Sequence, residues 1–352
     1  MFIHSADSHL GIQRYTKVNP KTGLNVRMMD FCNAFLELIE FTLEERCDFL
    51  LFCGDLFDSV NPTNYVRKFV QNQLFRLSER KINTFIIPGN HDTPRTKGVR
   101  NPLTLYSNIP HIFCGLKPFE KKIGMYRICG IPYTENPIKH VKKPLKGCFN
   151  ILMLHTMIEG STLGSERFMS FLESSIEPQR IPNYDYVALG HVHKHQVMRN
   201  KAYPGSLERY DFNEISERKG FISYDEEIEF VEVKTRVMED HELLCDGLDG
   251  FEITRKALGC LKDVDDKILR LTLKGEILKA KKKTLNYEMI RRSARNALSF
   301  TFRDQTFSKE IFEIKEGEIL YPPEKELSRY LKASGEIKAF RTGLEIIKEV
   351  ME

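Results

Sequence analysis

Five short motifs, each directly after an apolar stretch, constrain this chain more than any other feature. In chain order they are Asp7-Ser8-His9, Gly54-Asp55, Gly89-Asn90-His91-Asp92, His155 and Gly190-His191-Val192-His193. The stretches before them read as buried strands: Phe2–Ala6, Asp48–Cys53, Lys81–Ile87, Phe149–Leu154 and Tyr186–Leu189, with a further strand at Arg127–Gly130. Helical spacing of Phe31, Phe35, Leu38 and Ile39 puts a helix over Met28–Arg46, and a second follows over Thr63–Arg80 with Thr63 as its N-cap. Strand–helix–strand order with continuously apolar strands predicts a layered α/β sheet covered on both faces. Sites in such folds lie at strand ends, so motifs far apart in sequence are expected to converge.

The spacing within the motifs suits cations. Asp7 and His9 are two apart, as are His191 and His193, and on extended backbone such pairs point to one side. The donors are carboxylate, imidazole and the Asn90 amide, without thiolate, which fits Mn²⁺, Fe or Zn²⁺ better than a soft metal. Asp7, His9, Asp55, Asn90, His155, His191 and His193 are too many for one tetrahedral ion and suit two ions sharing a carboxylate. Any single motif is weak, because an isolated buried His is more often a core residue than a ligand. The signal lies in the ordered set.

That set resembles the calcineurin-like metallophosphoesterase superfamily. The segment Tyr203-Pro-Gly-Ser-Leu-Glu-Arg-Tyr-Asp-Phe212, with Lys219-Gly220-Phe221 beyond it, is similar to the double-strand-break repair nuclease branch of meiotic-recombination-eleven and SbcD type. His9-Leu10-Gly11 and Gly54-Asp55-Leu56-Phe57 resemble it as well. The resemblance implies a β-sandwich covered by helices on both faces over residues 1–235. It further implies a smaller α/β capping domain over 236–333 and a helical C-terminal segment over 334–352. Asp7, His9 and His193 would hold one Mn²⁺, Asn90, His155 and His191 the second, and Asp55 would bridge them. His91 would stabilise the pentavalent phosphorus or protonate the leaving oxygen, and Asp92 would orient the His91 ring. The chain departs from the branch at Asp58, where several members carry a His, so no imidazole helper is expected there. The implied activity is 3′-to-5′ exonuclease on duplex ends and endonuclease on single strands, in break repair with an SMC-like ATPase. Rival readings are another enzyme of the same superfamily, a small-molecule phosphodiesterase or a phosphatase acting on small esters or a phosphoprotein, and a non-catalytic DNA-end scaffold.

Composition is compatible with this. At 352 residues about two domains are expected, and no apolar run approaches the ~18 residues of a membrane span. The N-terminus lacks a basic secretory start, which predicts a cytoplasmic protein; association with the nucleoid is what the resemblance implies. Eight cysteines without a C-x-x-C pair read as small buried hydrophobes. A net charge of +4 permits a nucleic-acid partner without demanding one. Local charge argues more. Arg14, Lys17, Arg95, Lys97, Arg100 and Lys194 lie on the motif loops, where they would meet phosphates without reading bases. Lys279, Lys281, Lys282 and Lys283 fit either a solvated turn or a duplex grip.

Downstream, Gly220–Tyr224 and Ile228–Val233 read as a closing hairpin and Thr235–Asp240 as a linker. A smaller unit then reads α-β-α-β: Glu252–Leu261, Lys267–Leu273, Tyr287–Leu298 and Phe300–Arg303. The end of the chain is expected to be helical, with an apolar stripe of Leu344, Ile347, Val350 and Met351. The stripe would dock on the ATPase or pack on its own domain. By the same resemblance the helix over Thr63–Arg80 would contribute to a homodimer.

Overall fold

The computed structural model describes residues 1–163, 175–308, 323–334 and 343. The chain opens with β1 (Phe2–Ser5), α1 (Val26–Glu44), β2 (Phe49–Cys53), α2 (Asn64–Glu79), β3 (Asn83–Ile87) and β4 (Ile112–Cys114). Next come β5 (Phe119–Ile123), β6 (Tyr126–Ile131), β7 (Phe149–His155), β8 (Tyr186–Gly190), β9 (Gln196–Met198) and β10 (Lys201–Tyr203). The hairpin β11 (Gly220–Asp225) and β12 (Glu227–Glu232) precedes β13 (Met238–Leu244), α3 (Gly250–Cys260), β14 (Ile268–Glu276), α4 (Lys279–Lys282), α5 (Tyr287–Ser293) and β15 (Ser299–Phe307).

Two six-stranded sheets form the larger part, in the orders β12-β11-β1-β2-β3-β4 and β5-β6-β7-β8-β10-β9. Within the first, β1 through β4 run parallel; within the second, β6, β7 and β8 do. Side chains alternate across these strands, and both faces are buried. On β2, Phe49, Leu51 and Cys53 face the second sheet, while Leu50 and Phe52 face the helices. Phe2 stacks on Phe49 at 5.0 Å and on Tyr224 at 4.7 Å between the sheets. His4 is spent there too, with Nδ1 2.9 Å from the Tyr186 hydroxyl and Nε2 3.1 Å from the Leu189 carbonyl.

Helices α1 and α2 close the outer face of the first sheet through Phe31, Phe35, Leu38, Val66, Val70 and Leu74. Each is capped by the residue before it: the Asn25 side chain accepts from the Met28 amide and Thr63 from the Val66 amide. Such a cap contributes ~1 kcal/mol.

The expected linker Thr235–Asp240 is a strand from Met238 onward. β13 pairs in parallel with β14, Met238 opposite Ile268 and Leu244 opposite Lys274. It is an edge strand whose alternate residues are solvated, so it lacks the apolar run that marks a central strand. With β15 these strands form a third sheet, and α3 and α5 cover it around Ile253, Ala257, Leu271, Leu273 and Ile290.

By compactness the chain divides into Met1–Thr306 and Phe307–Glu352. The second unit contributes α6 (Pro323–Ser334), and the stripe of Leu344, Ile347, Val350 and Met351 lies outside the described residues. All eight cysteines are free, and five are buried. Among the described residues no helix is long and apolar enough to cross a membrane.

Candidate metal centre

Every motif sits at the C-terminal end of a parallel strand: after β1, β2 and β3 in one sheet, and at or after β7 and β8 in the other. The two sheets meet at that edge, where His155 Nδ1 lies 2.8 Å from the Cys53 carbonyl at the end of β2. Neighbouring loops are stitched together: the Asp7 amide donates to the Gly54 carbonyl and the His9 amide to the Asp55 carbonyl, both at 3.0 Å.

Asp7 and His9 converge, though not along extended backbone as their spacing suggested. Asp7 (φ 52°), His9 (φ 42°), Asp55 (φ 52°) and His191 (φ 96°) all occupy the left-handed region. That conformation costs an L-residue roughly 1–2 kcal/mol, and it persists only where surroundings over-determine it. One such clamp is the His191 amide, which donates to both Asp7 carboxylate oxygens at 3.0 and 3.1 Å. Gly54 is required for a similar reason: a Cβ there would fall 2.1 Å from His155 Nδ1.

Three groups of side chains result among the described residues, one of them His9, Asp58 and His91 at the rim. In the other two, Asp7, His9 and His193 bring one ligand atom each within 4.8 Å of one another, and so do Asp7, Asp55 and His155. Asn90 joins the latter, with its Oδ1 2.8 Å from His155 Nε2 and 3.2 Å from His191 Nδ1. In these two groups all are buried except Asn90, which is half-buried.

The donor chemistry fits divalent cations. His193 Nδ1 is 2.8 Å from Glu214 Oε1, so we assign the proton to Nδ1 and a lone pair to Nε2. His9 Nδ1 is 3.3 Å from Asp58 Oδ1, a charge contact outside hydrogen-bond geometry that favours the same tautomer. Burial lowers the His9 pKa, which keeps that ring neutral. The two Nε2 atoms face each other at 3.0 Å; with both protons on Nδ1 they meet lone pair to lone pair, an arrangement a nearby cation relieves. His155 repeats the pattern. Its Nδ1 donates to the Cys53 carbonyl, and its Nε2 faces Asp55 Oδ2 at 3.3 Å. That nitrogen needs a proton or a metal. Burial opposes the charged ring, but Asp55 and Asp7 outweigh it and raise the pKa to about 9.

His91 stands at the rim. Its amide donates to Asp55 Oδ1 at 2.8 Å, and its ring packs edge-on to His9 with centroids 4.7 Å apart. Its Nδ1 lies 2.9 Å from the Asp58 carbonyl, which leaves Nε2 as the other ring nitrogen. The expected Asp92 partner is therefore corrected to Asp58. Asp92 is fully buried and accepts from the amides of Leu56 (3.0 Å), Phe57 (2.9 Å) and Gly89 (3.2 Å). It braces the Asp55 loop against the Asn90 loop. Burial, with Asp55 nearby, pushes its carboxyl up to about 7.

The basic residues divide. Arg14 donates to the Tyr210 carbonyl at 2.9 Å and lies over the Tyr210 ring. Lys17 reaches Asp266 and the carbonyls of Asn296 and Ala297. These two are engaged within the protein. Arg95, Lys97 and Arg100 are exposed, and Lys194 is half-buried. Lys282 of the basic run pairs with Asp304 at 2.9 Å. His195 is half-buried, bonded to the Tyr203 carbonyl and stacked on Phe230.

Sequence reasoning missed Glu214, Lys219 and Tyr210 as parts of the centre. Glu214 is fully buried between His193 and Lys219, each 2.8 Å away. Burial would raise its carboxyl, but Lys219 and His193 hold it well below the usual range. Tyr210 packs its ring on His9 and His193 and its hydroxyl on Asp58. The one signal available was the run from Tyr203 to Phe221 itself.

A family model described as calcineurin-like phosphoesterase matches residues 1–195. The chain is 30% identical over 242 residues to the DNA double-strand break repair protein Mre11 of Methanocaldococcus jannaschii, covering 64% of this chain and 62% of that protein. It is 30% identical over 247 residues to the uncharacterized metallophosphoesterase YhaO of Bacillus subtilis, covering 64% and 59%. Against the Mre11 protein of Archaeoglobus fulgidus it is 24% identical over 372 residues, covering 90% and 76%. The chain thus spans about 60% of the length of the first two relatives.

Proposed function

Because the chain belongs to the calcineurin-like phosphoesterase family, we propose that its metal centre hydrolyses phosphodiester bonds of DNA. The observation that carries this reading is the convergence of Asp7, His9, Asp55, Asn90, His155, His191 and His193 from five strand ends. On this reading Asp7, His9 and His193 hold one Mn²⁺, Asn90, His155 and His191 hold another, and Asp55 serves both. When bound, the cations offset charge on the phosphoryl oxygens and lower the pKa of water. The protein's own part is to fix the rings. His91, with Nδ1 held by the Asp58 carbonyl, turns Nε2 to the substrate and gives a proton to the leaving oxygen.

The loop after His91 supports DNA as substrate. Residues 93–101 carry Arg95, Lys97 and Arg100 and no acid. Thr93 anchors one end on the Gly89 carbonyl at 2.6 Å, and Asn101 anchors the other on the Asp92 carbonyl at 2.9 Å. Three exposed cations are thereby tethered beside the centre, with Lys194 next to His193. The names of two relatives add the context of double-strand break repair. The proposal extends to 3′-to-5′ exonuclease action on duplex ends, endonuclease action on single strands, a capping role for residues 236–333 and an SMC-like ATPase partner. Tyr65 and Phe75, exposed on α2, support a homodimer through that helix.

The test is incubation with labelled duplex and single-stranded DNA in Mn²⁺, beside cyclic nucleotides and aryl phosphates. Cleavage of DNA alone is expected. Turnover of only the small esters would favour a small-molecule phosphodiesterase, and DNA binding without turnover a scaffold. Replacing Arg95, Lys97 and Arg100 by Ala should raise KM, spare kcat and flatten the salt dependence by up to ~0.9 per lost phosphate contact.

A further inference from the structure

His9, His155 and His193 are not backed alike. His193 leans on Glu214 through a 2.8 Å hydrogen bond, and Glu214 is itself fixed by Lys219 and by the Tyr210 amide at 2.7 Å. His9 has the Asp58 carboxylate 3.3 Å behind it, and that carboxylate also takes the Tyr210 hydroxyl at 3.3 Å. His155, by contrast, leans on the uncharged Cys53 carbonyl.

A carboxylate behind a ligating ring fixes its tautomer and raises its basicity, and removing it typically weakens metal binding 10–100-fold. Lys219 offsets part of the Glu214 charge, so Glu214 acts chiefly by holding the ring and Asp58 chiefly by charge. Both carboxylates lie on the same side of the centre.

We propose that the two cation positions are unequal, the Asp7–His9–His193 position being tight because Asp58 and Glu214 act on it as positioning residues. The Asn90–His155–His191 position fills second and exchanges. This rests on the two-cation reading above.

The experiment strips the full chain with chelator and titrates it with Mn²⁺ alone, following bound ion by calorimetry and free ion by electron paramagnetic resonance. Two classes of one ion each are expected. Asp58→Asn should weaken the tight class roughly 10–100-fold and shift the weak class far less. Asp58→Glu should restore part of the loss. Glu214→Gln should act in the same direction. Because it leaves Lys219 buried beside a neutral side chain, its fold is checked by circular dichroism. If it fails to fold, the Asp58 pair decides. Two equivalent sites in the wild type, or an unchanged tight class in Asp58→Asn, would overturn the proposal. Failure of the wild type to bind any Mn²⁺ would instead remove the two-cation reading itself.

Discussion

His9 Nε2 and His193 Nε2 face each other across 3.0 Å, although the residues are 184 positions apart. Each ring turns its other nitrogen toward a carboxylate, Asp58 for His9 and Glu214 for His193. Two imidazoles so oriented hold a cation well and tolerate its loss poorly.

Chelation should therefore destabilise the protein. An ion present at a hundred times its Kd adds ~2.7 kcal/mol to folding stability. Melting with EDTA and with excess Mn²⁺ should show Tm several degrees higher with metal. Equal melting temperatures would speak against a metal centre.

The metal-free protein should lose stability with alkali. Unfolded, His155 titrates near 6.5; folded, it titrates at about 9. A raised pKa contributes stability that is complete below about pH 6.5 and fades as pH climbs through about 9. His4 and His9, which burial lowers from 6.5, act only below that window. With EDTA, Tm should fall between pH 6.5 and 9, whereas Mn²⁺ replaces the His155 proton and removes the decline. A metal-free Tm that rises over this range would contradict the assignment.

His91→Ala should separate chemistry from metal binding. The contact with Asp55 comes from the His91 amide, which alanine retains, so the Mn²⁺ titration should be unchanged. Loss of a proton-transfer ring should lower kcat ~10²–10⁴-fold with KM little altered. An equal fall in Mn²⁺ affinity would make His91 a ligand.

Asp92→Ala should behave as a folding defect. It leaves the buried amides of Leu56, Phe57 and Gly89 without their acceptor, a loss of roughly 3 kcal/mol or more. The urea midpoint should drop accordingly, and Asp92→Asn, which keeps one acceptor oxygen, should drop less. A His91-like loss of turnover at full stability would return Asp92 to the chemistry.

The sequence by itself determined the sandwich strands and where the candidate ligands fall along the chain, because burial on both faces forces continuous apolar runs and those residues stand directly after them. Asp55 was legible after Phe49–Cys53, and His155 at the end of Phe149–Leu154, for that reason. Only the tertiary structure decided what stands behind the ligands. Glu214 meets His193 and Tyr210 meets Asp58 across 152 positions, while Lys17 is drawn to Asp266 across 249. Even the Asp7–His9 pair converges through left-handed backbone that its spacing did not encode. Spacing records geometry over a few residues, whereas the partner of a buried charge is chosen by whichever distant element packing brings within hydrogen-bond reach.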